Sequence, residues 1–338
     1  MSRPLPLALA QLPSVPANTQ LRDFAAEVES IRSRFPDTRM AVFPELHLCG
    51  VDALGAQAHE QLREIAEPLD GPRVKALGEL AGDLGMWLLP GTVCERGPEG
   101  QLYNTAVVFS PEGRLTASYR KIFPWRPSEP YDPGDRFVVF DIPGTGRIGL
   151  SICFDAWFPE VARHLAWMGA EVIVNPVMTT TADRAQEVVL ARANAIVNQV
   201  YVVSVNTAGP LGRGHSLVVD PEGRVRAEAT GDGSTILTDV IDLDDVTRVR
   251  KHGTAGVTRI WDHFSNDDAA HRPTALRRAN QPADLASAWP PDGLSNPAAP
   301  RPAFRAPGAL PCPTATMPHP HSPAPSGSEP SSCSASPT

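Results

Sequence analysis

Short apolar runs with strand character alternate with amphipathic helical stretches through most of this 338-residue chain, and that alternation limits its fold more than any other feature. Leu5–Gln11 reads as a strand. Leu21, Phe24, Val28 and Ile31 then share one helical face behind a capping region at Asn18-Thr19, and Met40–Pro44 is the next strand. Pro72–Leu84 reads as a helix stopped by Gly85, and Trp87–Thr92 returns as a strand. In the second half, a helix with Pro159 in its first turn sets Val161, Leu165 and Met168 on one side up to Gly169, and Val172–Val174 is a strand. A longer helix from about Asp183 carries Val189, Ala193, Ile196 and Val200 as its apolar side, ahead of a buried strand at Tyr201–Asn206. Chains patterned this way build layered α/β domains.

One hairpin turn occurs twice. Ser110-Pro111-Glu112-Gly113-Arg114 separates Tyr103–Phe109 from Leu115–Tyr119, and Asp220-Pro221-Glu222-Gly223-Arg224 separates Ser216–Val219 from Val225–Glu228. Each is led by proline and has glycine where a positive φ is wanted. A copy in each half fits two sheets face to face with helices outside.

The pattern stops near residue 264. Of 36 prolines, 16 fall in the last 74 residues, among Ala, Ser and short polar groups that offer too little apolar surface to offset ordering entropy. The organisation expected is a domain over 1–264, a candidate arm lying on a partner subunit over 265–281, and a disordered Pro/Ala/Ser-rich tail over 282–338.

A net charge of −8 with no basic stripe argues against nucleic acid as a partner. No run approaches the roughly 18 apolar residues of a membrane span, and the start of the chain is broken by Pro4 and Pro6, so a cytoplasmic location is expected. Five cysteines, two of them in the tail at Cys312 and Cys333, do not form a disulfide framework, and neither they nor the nine histidines have metal-ligand spacing.

Candidate chemistry collects at strand ends. Arg147–Ile152 runs as an apolar strand into Cys153-Phe154-Asp155-Ala156-Trp157-Phe158-Pro159-Glu160, which lifts a thiol onto a bend before a helix. Glu45 follows the strand ending at Pro44, and Lys121, one of only three lysines in the chain, follows Ser118-Tyr119-Arg120. A free thiol is only about 3% thiolate at pH 7, so a cysteine nucleophile needs a base or a positive neighbour. Read singly, Cys153 fits a small buried hydrophobe as well as a nucleophile, Glu45 an exposed loop carboxylate, and Lys121 a solvated lysine. Together, a carboxylate, an ammonium and a thiol suit acyl transfer through a thioester.

Phe43-Pro44-Glu45, Tyr119-Arg120-Lys121 and Cys153-Phe154-Asp155 followed by Phe158-Pro159-Glu160 resemble, in order and spacing, the nitrilase superfamily of carbon–nitrogen hydrolases, from about Pro4 to Phe264. The block from Lys121 to Glu129 is similar to the aliphatic amidase and formamidase branch, in which a second glutamate follows the lysine at this distance, so Glu129 becomes a fourth candidate. The resemblance implies a four-layer αββα sandwich, at least a dimer, and no metal or organic cofactor. It further implies that Cys153 attacks a small linear carboxamide, Glu45 shuttles the proton, and Lys121 holds the oxyanion with the backbone N–H of Phe154. Glu129 would orient the amide nitrogen, hold Lys121 charged and position water, which releases the acyl group as a carboxylic acid after ammonia has left. Trp125, Phe154 and Trp157 are candidate walls of the acyl pocket or ordinary core, and Asp155 and Glu160 read as structural.

Within this chemistry, hydrolysis of an N-carbamoyl compound or a nitrile is the alternative. Carbamoyl-amino-acid hydrolases of the superfamily carry an arginine just after the nucleophile, whereas this chain has Ala156-Trp157-Phe158. From another class, the chain would be an inactive scaffold that recruits partners through its tail. Two patterns are set aside: Gly144-Thr145-Gly146-Arg147-Ile148-Gly149 spells a dinucleotide fingerprint but leads into a strand, and nothing aims His164 or His215 at Cys153.

Overall fold

The computed structural model describes residues 2–16, 21–50 and 55–264; the expected cap at Asn18-Thr19, the candidate arm and the expected tail lie outside them. Among the described residues, the chain begins with β1 (Pro4–Gln11), which pairs in parallel with β2 (Met40–Val42), itself parallel to β3 (Trp87–Leu89). The expected single strand Trp87–Thr92 is divided, because Gly91 takes φ 91° and starts a new strand. That strand, β4 (Thr92–Arg96), and β6 (Leu115–Arg120) both pair antiparallel with β5 (Leu102–Phe109). A second sheet holds β7 (Val138–Ile142), β8 (Gly146–Leu150), β9 (Val172–Val177), β10 (Tyr201–Asn206), β11 (Leu217–Val219) and β12 (Val225–Glu228), with β8, β9 and β10 parallel at its centre. β13 (Thr235–Asp242) returns to the first sheet and pairs antiparallel with the whole of β1.

Side-chain alternation assigns the layers. Leu5, Leu7 and Leu9 of β1 join Val172 and Val174 of β9 and Tyr201 and Val203 of β10 in a core between the sheets. A fully buried leucine of this layer contributes about 2 kcal/mol. Ala8 and Ala10 face the other way, onto Phe24, Val28 and Ile31 of α1 (Leu21–Arg34) and onto Leu77 and Ala81 of α3 (Pro72–Leu84), while α2 (Gly55–Ile65) packs beside β4. On the far side, Ile173 and Val202 pack against Val161 and Leu165 of α4 (Pro159–Trp167) and Ala191 and Ala195 of α5 (Arg184–Asn198). The result is the four-layer αββα sandwich that the sequence implied, closed at one end by α6 (Asp244–His252).

The two copies of the hairpin turn have one geometry. Ser110 N–H donates to the Arg114 carbonyl and Asp220 N–H to the Arg224 carbonyl, both at 2.9 Å, and Gly113 and Gly223 take φ of 78° and 81°. A register shift interrupts each hairpin, at Val108/Phe109 and at Val218/Val219.

One helix face differs from expectation. Val189 and Ile196 of α5 point outward, 64% and 46% exposed, and only Val200, past the helix end, is buried among the apolar set named for this helix. The buried side of α5 is polar instead: Arg184, Glu187, Asn194 and Asn198 turn inward beside Ala191 and Ala195. The reason is what α5 covers, because its first turns lie behind the bend that carries Cys153. No helix among the described residues is long and apolar enough to cross a membrane.

Candidate active site

The parallel strands β2 and β8 end three residues before Glu45 and Cys153, and β6 ends one residue before Lys121, which brings all three to one end of the sandwich. At the bend, Ile152 is extended and Cys153 takes φ 45°, a left-handed conformation that costs a non-glycine residue about 1 kcal/mol or more. A 3₁₀ turn over Cys153–Trp157 follows and leads into α4.

Asp155 fastens this bend. Its carboxylate is fully buried and accepts hydrogen bonds from Ile152 N–H at 2.9 Å, Phe123 N–H at 2.9 Å and the Tyr119 hydroxyl at 2.8 Å. It thus ties the strand that leads into Cys153 to β6 and to the start of the loop that holds Glu129, which supports its reading as structural.

Lys121 is the centre of the charge cluster and is itself 0% exposed. Its ammonium donates to Glu45 Oε1 at 2.9 Å and to Glu129 Oε1 and Oε2 at 2.7 and 2.9 Å. Glu45 also accepts from Asn104 Nδ2 at 2.7 Å and from Met178 N–H at 2.9 Å, and Glu129 Oε2 accepts from Trp125 N–H at 2.8 Å. Every carboxylate oxygen of the pair has a donor, the condition under which a buried ionic cluster is tolerated.

The field of this cluster sets the protonation states. Burial alone would depress the Lys121 ammonium, but Glu45, Cys153 and Glu129 together hold it well above the ordinary lysine range, so it stays charged. Burial raises the Glu45 carboxyl against the pull of Lys121. Although Cys153 as a residue is partly exposed, its thiol is pushed well up, first by loss of water and then by the charge on Glu45. A neutral thiol beside a carboxylate of raised basicity is an arrangement for proton transfer during attack rather than for a resting thiolate.

Phe154 lies 6.1 Å from Trp157 and 5.2 Å from Phe158, ring centre to ring centre, so the two aromatic candidates after Cys153 are neighbours. Trp125 reaches the cluster through its backbone, while its side chain is 39% exposed. The patterns set aside do belong elsewhere: Gly144 starts the turn into β8, His164 stacks on Phe137 at 4.6 Å, and His215 Nδ1 lies 3.6 Å from Glu228. Cys49 and Cys94 are buried free thiols.

Sequence reasoning missed Asn104, the Met178 amide and the pair Arg184–Glu187. Asn104 left one usable signal, an amide side chain inside the mainly apolar run of strand β5.

The profile of the carbon-nitrogen hydrolase family matches residues 7–251, most of the chain. This chain belongs to the carbon-nitrogen hydrolase family. The omega-amidase NIT3 of Saccharomyces cerevisiae is 30% identical to it over 291 residues, 80% of this chain and 98% of that one. The crystal structure of Nit3, a member of branch 10 of the nitrilase superfamily, superposes with a TM-score of 0.66 over 74% of this chain and 94% of that one. A formamidase of Bacillus thuringiensis is 32% identical over 192 residues, 56% of each chain. A mutant of the amidase from Nesterenkonia sp. AN1 superposes at TM-score 0.61 with 25% identity, over 74% of this chain and 94% of that one, and shows covalent addition of the acetamide moiety of fluoroacetamide at its active-site cysteine. This carbon-nitrogen hydrolase therefore acts on amides.

Burial pushes Asp155 up from the usual aspartate range to about 6. A carboxyl whose folded pKa is raised stabilises the fold below its unfolded pKa and loses that contribution as pH rises through the folded one. The wild type should therefore lose stability relative to Asp155→Asn on going from pH 5 to pH 7.5, by about 1–2 kcal/mol. Thermal denaturation of both proteins at the two pH values checks this, and a gap that stays constant or widens contradicts it.

Proposed function

We propose that this enzyme hydrolyses small linear carboxamides to a carboxylic acid and ammonia through a thioester on Cys153. The observation that carries the reading is the Lys121 ammonium clamped between Glu45 and Glu129, with Glu45 near enough to Cys153 for its charge to push the thiol up. Cys153 Sγ attacks the carbonyl carbon as Glu45 takes the thiol proton, and the carbonyl oxygen becomes an oxyanion facing Lys121 and the Phe154 amide. Collapse of that intermediate breaks the carbon–nitrogen bond, with Glu45 returning the proton to departing ammonia. Water, steered by Glu129, then attacks the thioester and gives its proton to Glu45; the carbon–sulfur bond breaks, the acid leaves, and Glu45 returns that proton to the Cys153 thiolate. The covalent adduct on the cysteine of the Nesterenkonia amidase and the omega-amidase and formamidase relatives support this sequence of steps. The same reading expects a cytoplasmic homo-oligomer.

The test pairs ammonia release across primary amides, N-carbamoyl amino acids and nitriles with intact-mass analysis of the protein during turnover. An acyl adduct that maps to Cys153 and is formed from amides supports the proposal. Turnover confined to carbamoyl compounds or nitriles, or amide turnover with adduct formation elsewhere, overturns it.

A further inference from the structure

The cavity that Cys153 lines holds a further buried carboxylate with no role in the steps above. Glu187, in the first turn of α5, is 6% exposed. Its Oε2 accepts from the Thr179 hydroxyl at 2.7 Å and from Arg184 at 3.0 Å, and its Oε1 accepts from the Trp157 indole at a longer 3.4 Å. Three segments of the site thus meet on one side chain: the turn after Cys153 through Trp157, the loop after β9 through Thr179, and the start of α5. That loop also carries the Met178 amide that holds Glu45.

The charge balance is equally specific. Lys121 and Arg184 both interact electrostatically with the Cys153 thiol, and both are already paired. Lys121 is held by Glu45 and Glu129. Arg184 has Nη1 on Glu187, Nε on the Gly214 carbonyl, and Nη2 on Ser204 Oγ and the His215 carbonyl. Every nitrogen of Arg184 is thus engaged within the protein. The cavity bounded by Cys153, Asn175, Arg184, Glu187 and Ser204 measures about 20 Å³, room for roughly one water, so bulk solvent does not screen Glu187.

We propose that Glu187 is a positioning residue for amide hydrolysis, holding Trp157 as a wall of the acyl side of the site and keeping Arg184 occupied, so that the enzyme selects uncharged acyl groups over acyl groups that carry a carboxylate. An anionic acyl tail would meet an indole, the carboxylates Glu45, Glu129 and Glu187, and Arg184, whose nitrogens are all engaged within the protein. An aliphatic tail meets the Phe154–Trp157 wall with nothing left unpaired. This inference rests on the thioester amidase reading for its reaction, while its claim about selectivity stands or falls separately.

Butyramide and succinamic acid make the comparison, since they differ chiefly by a methyl group replaced with a carboxylate. The wild type should show a kcat/KM at least about tenfold higher for butyramide, the effect of one unit charge acting across roughly 10 Å at an effective dielectric near 20. Glu187→Gln removes the negative charge and frees Arg184, and should lower that ratio about tenfold. A residue that only anchored α5 would lower both substrates together and leave the ratio where it was, which overturns the proposal. Because Glu187→Gln leaves a buried cation unpaired and threatens folding, Trp157→Phe provides a second measurement with the ion pair intact. It should raise KM for butyramide several-fold with kcat nearly unchanged, and an unaltered KM overturns the wall. A wild type that prefers succinamic acid also overturns the inference but leaves amide hydrolysis standing. A wild type inactive on every amide removes the thioester reading and this inference with it.

Discussion

Cys153→Ala should abolish ammonia release, by at least about 10⁴-fold, in a protein that keeps its fold. The loss is large because the thiol forms the only covalent bond to substrate in the proposed sequence of steps. The fold survives because the thiol is neutral in the resting enzyme and removing it strands no charge. Alanine at φ 45° bears the same backbone strain as cysteine, so the melting temperature should barely move. Cys153→Gly makes the complementary point: glycine adopts that φ without strain, and this equally inactive variant should be stabilised by up to about 1 kcal/mol. Circular dichroism melts alongside an ammonia assay check both. More than a few per cent of wild-type turnover in either variant would remove Cys153 as the nucleophile, and a strongly destabilised alanine variant would show that the bend depends on sulfur packing.

What can be read in the chain is what local pattern controls. Strands buried on both faces are apolar along their length, so β1, β2, β9 and β10 are visible, and the groups standing just past strand ends, Glu45, Lys121 and Cys153, stand out against them. Glu129 lies in the irregular segment between β6 and β7, where no periodicity marks it, and only its distance from Lys121 within a family motif draws attention to it. The inward face of α5 is hidden for a physical reason. Apolar periodicity finds a core face only when the core is apolar, and this helix turns Arg184, Glu187 and Asn194 toward the back of the site while Val189 and Ile196 look outward. Asn104 and the Met178 amide hold Glu45 from 59 and 133 residues away in sequence, the first within one sheet and the second across to the other, and such contacts exist only once the sheets have formed.

Lys121→Ala should be the most disruptive single change in stability, and it should also slow the reaction. The ammonium is fully buried and is the shared partner of two carboxylates, so its removal leaves Glu45 buried and uncompensated, with Glu129 beside it. Breaking a buried pair from one side costs about 3–5 kcal/mol, and loss of the oxyanion donor about 10²–10³ in rate. The sign of the pH dependence separates this cause from a lost packing volume. Without Lys121, its lowering effect on Glu45 disappears and the already raised carboxyl rises further. A raised folded pKa stabilises at low pH and loses that contribution as pH climbs, so the deficit against wild type should be smaller at pH 5 than at pH 8. A deficit of equal size at both values would assign it to packing. Lys121→Arg should restore part of the stability but little of the turnover, because a planar guanidinium cannot place one compact charge between Glu45, Glu129 and the oxyanion. A well-active arginine variant would show that the site needs only a positive charge, and would remove Lys121 from the proposed role of a specifically placed oxyanion donor.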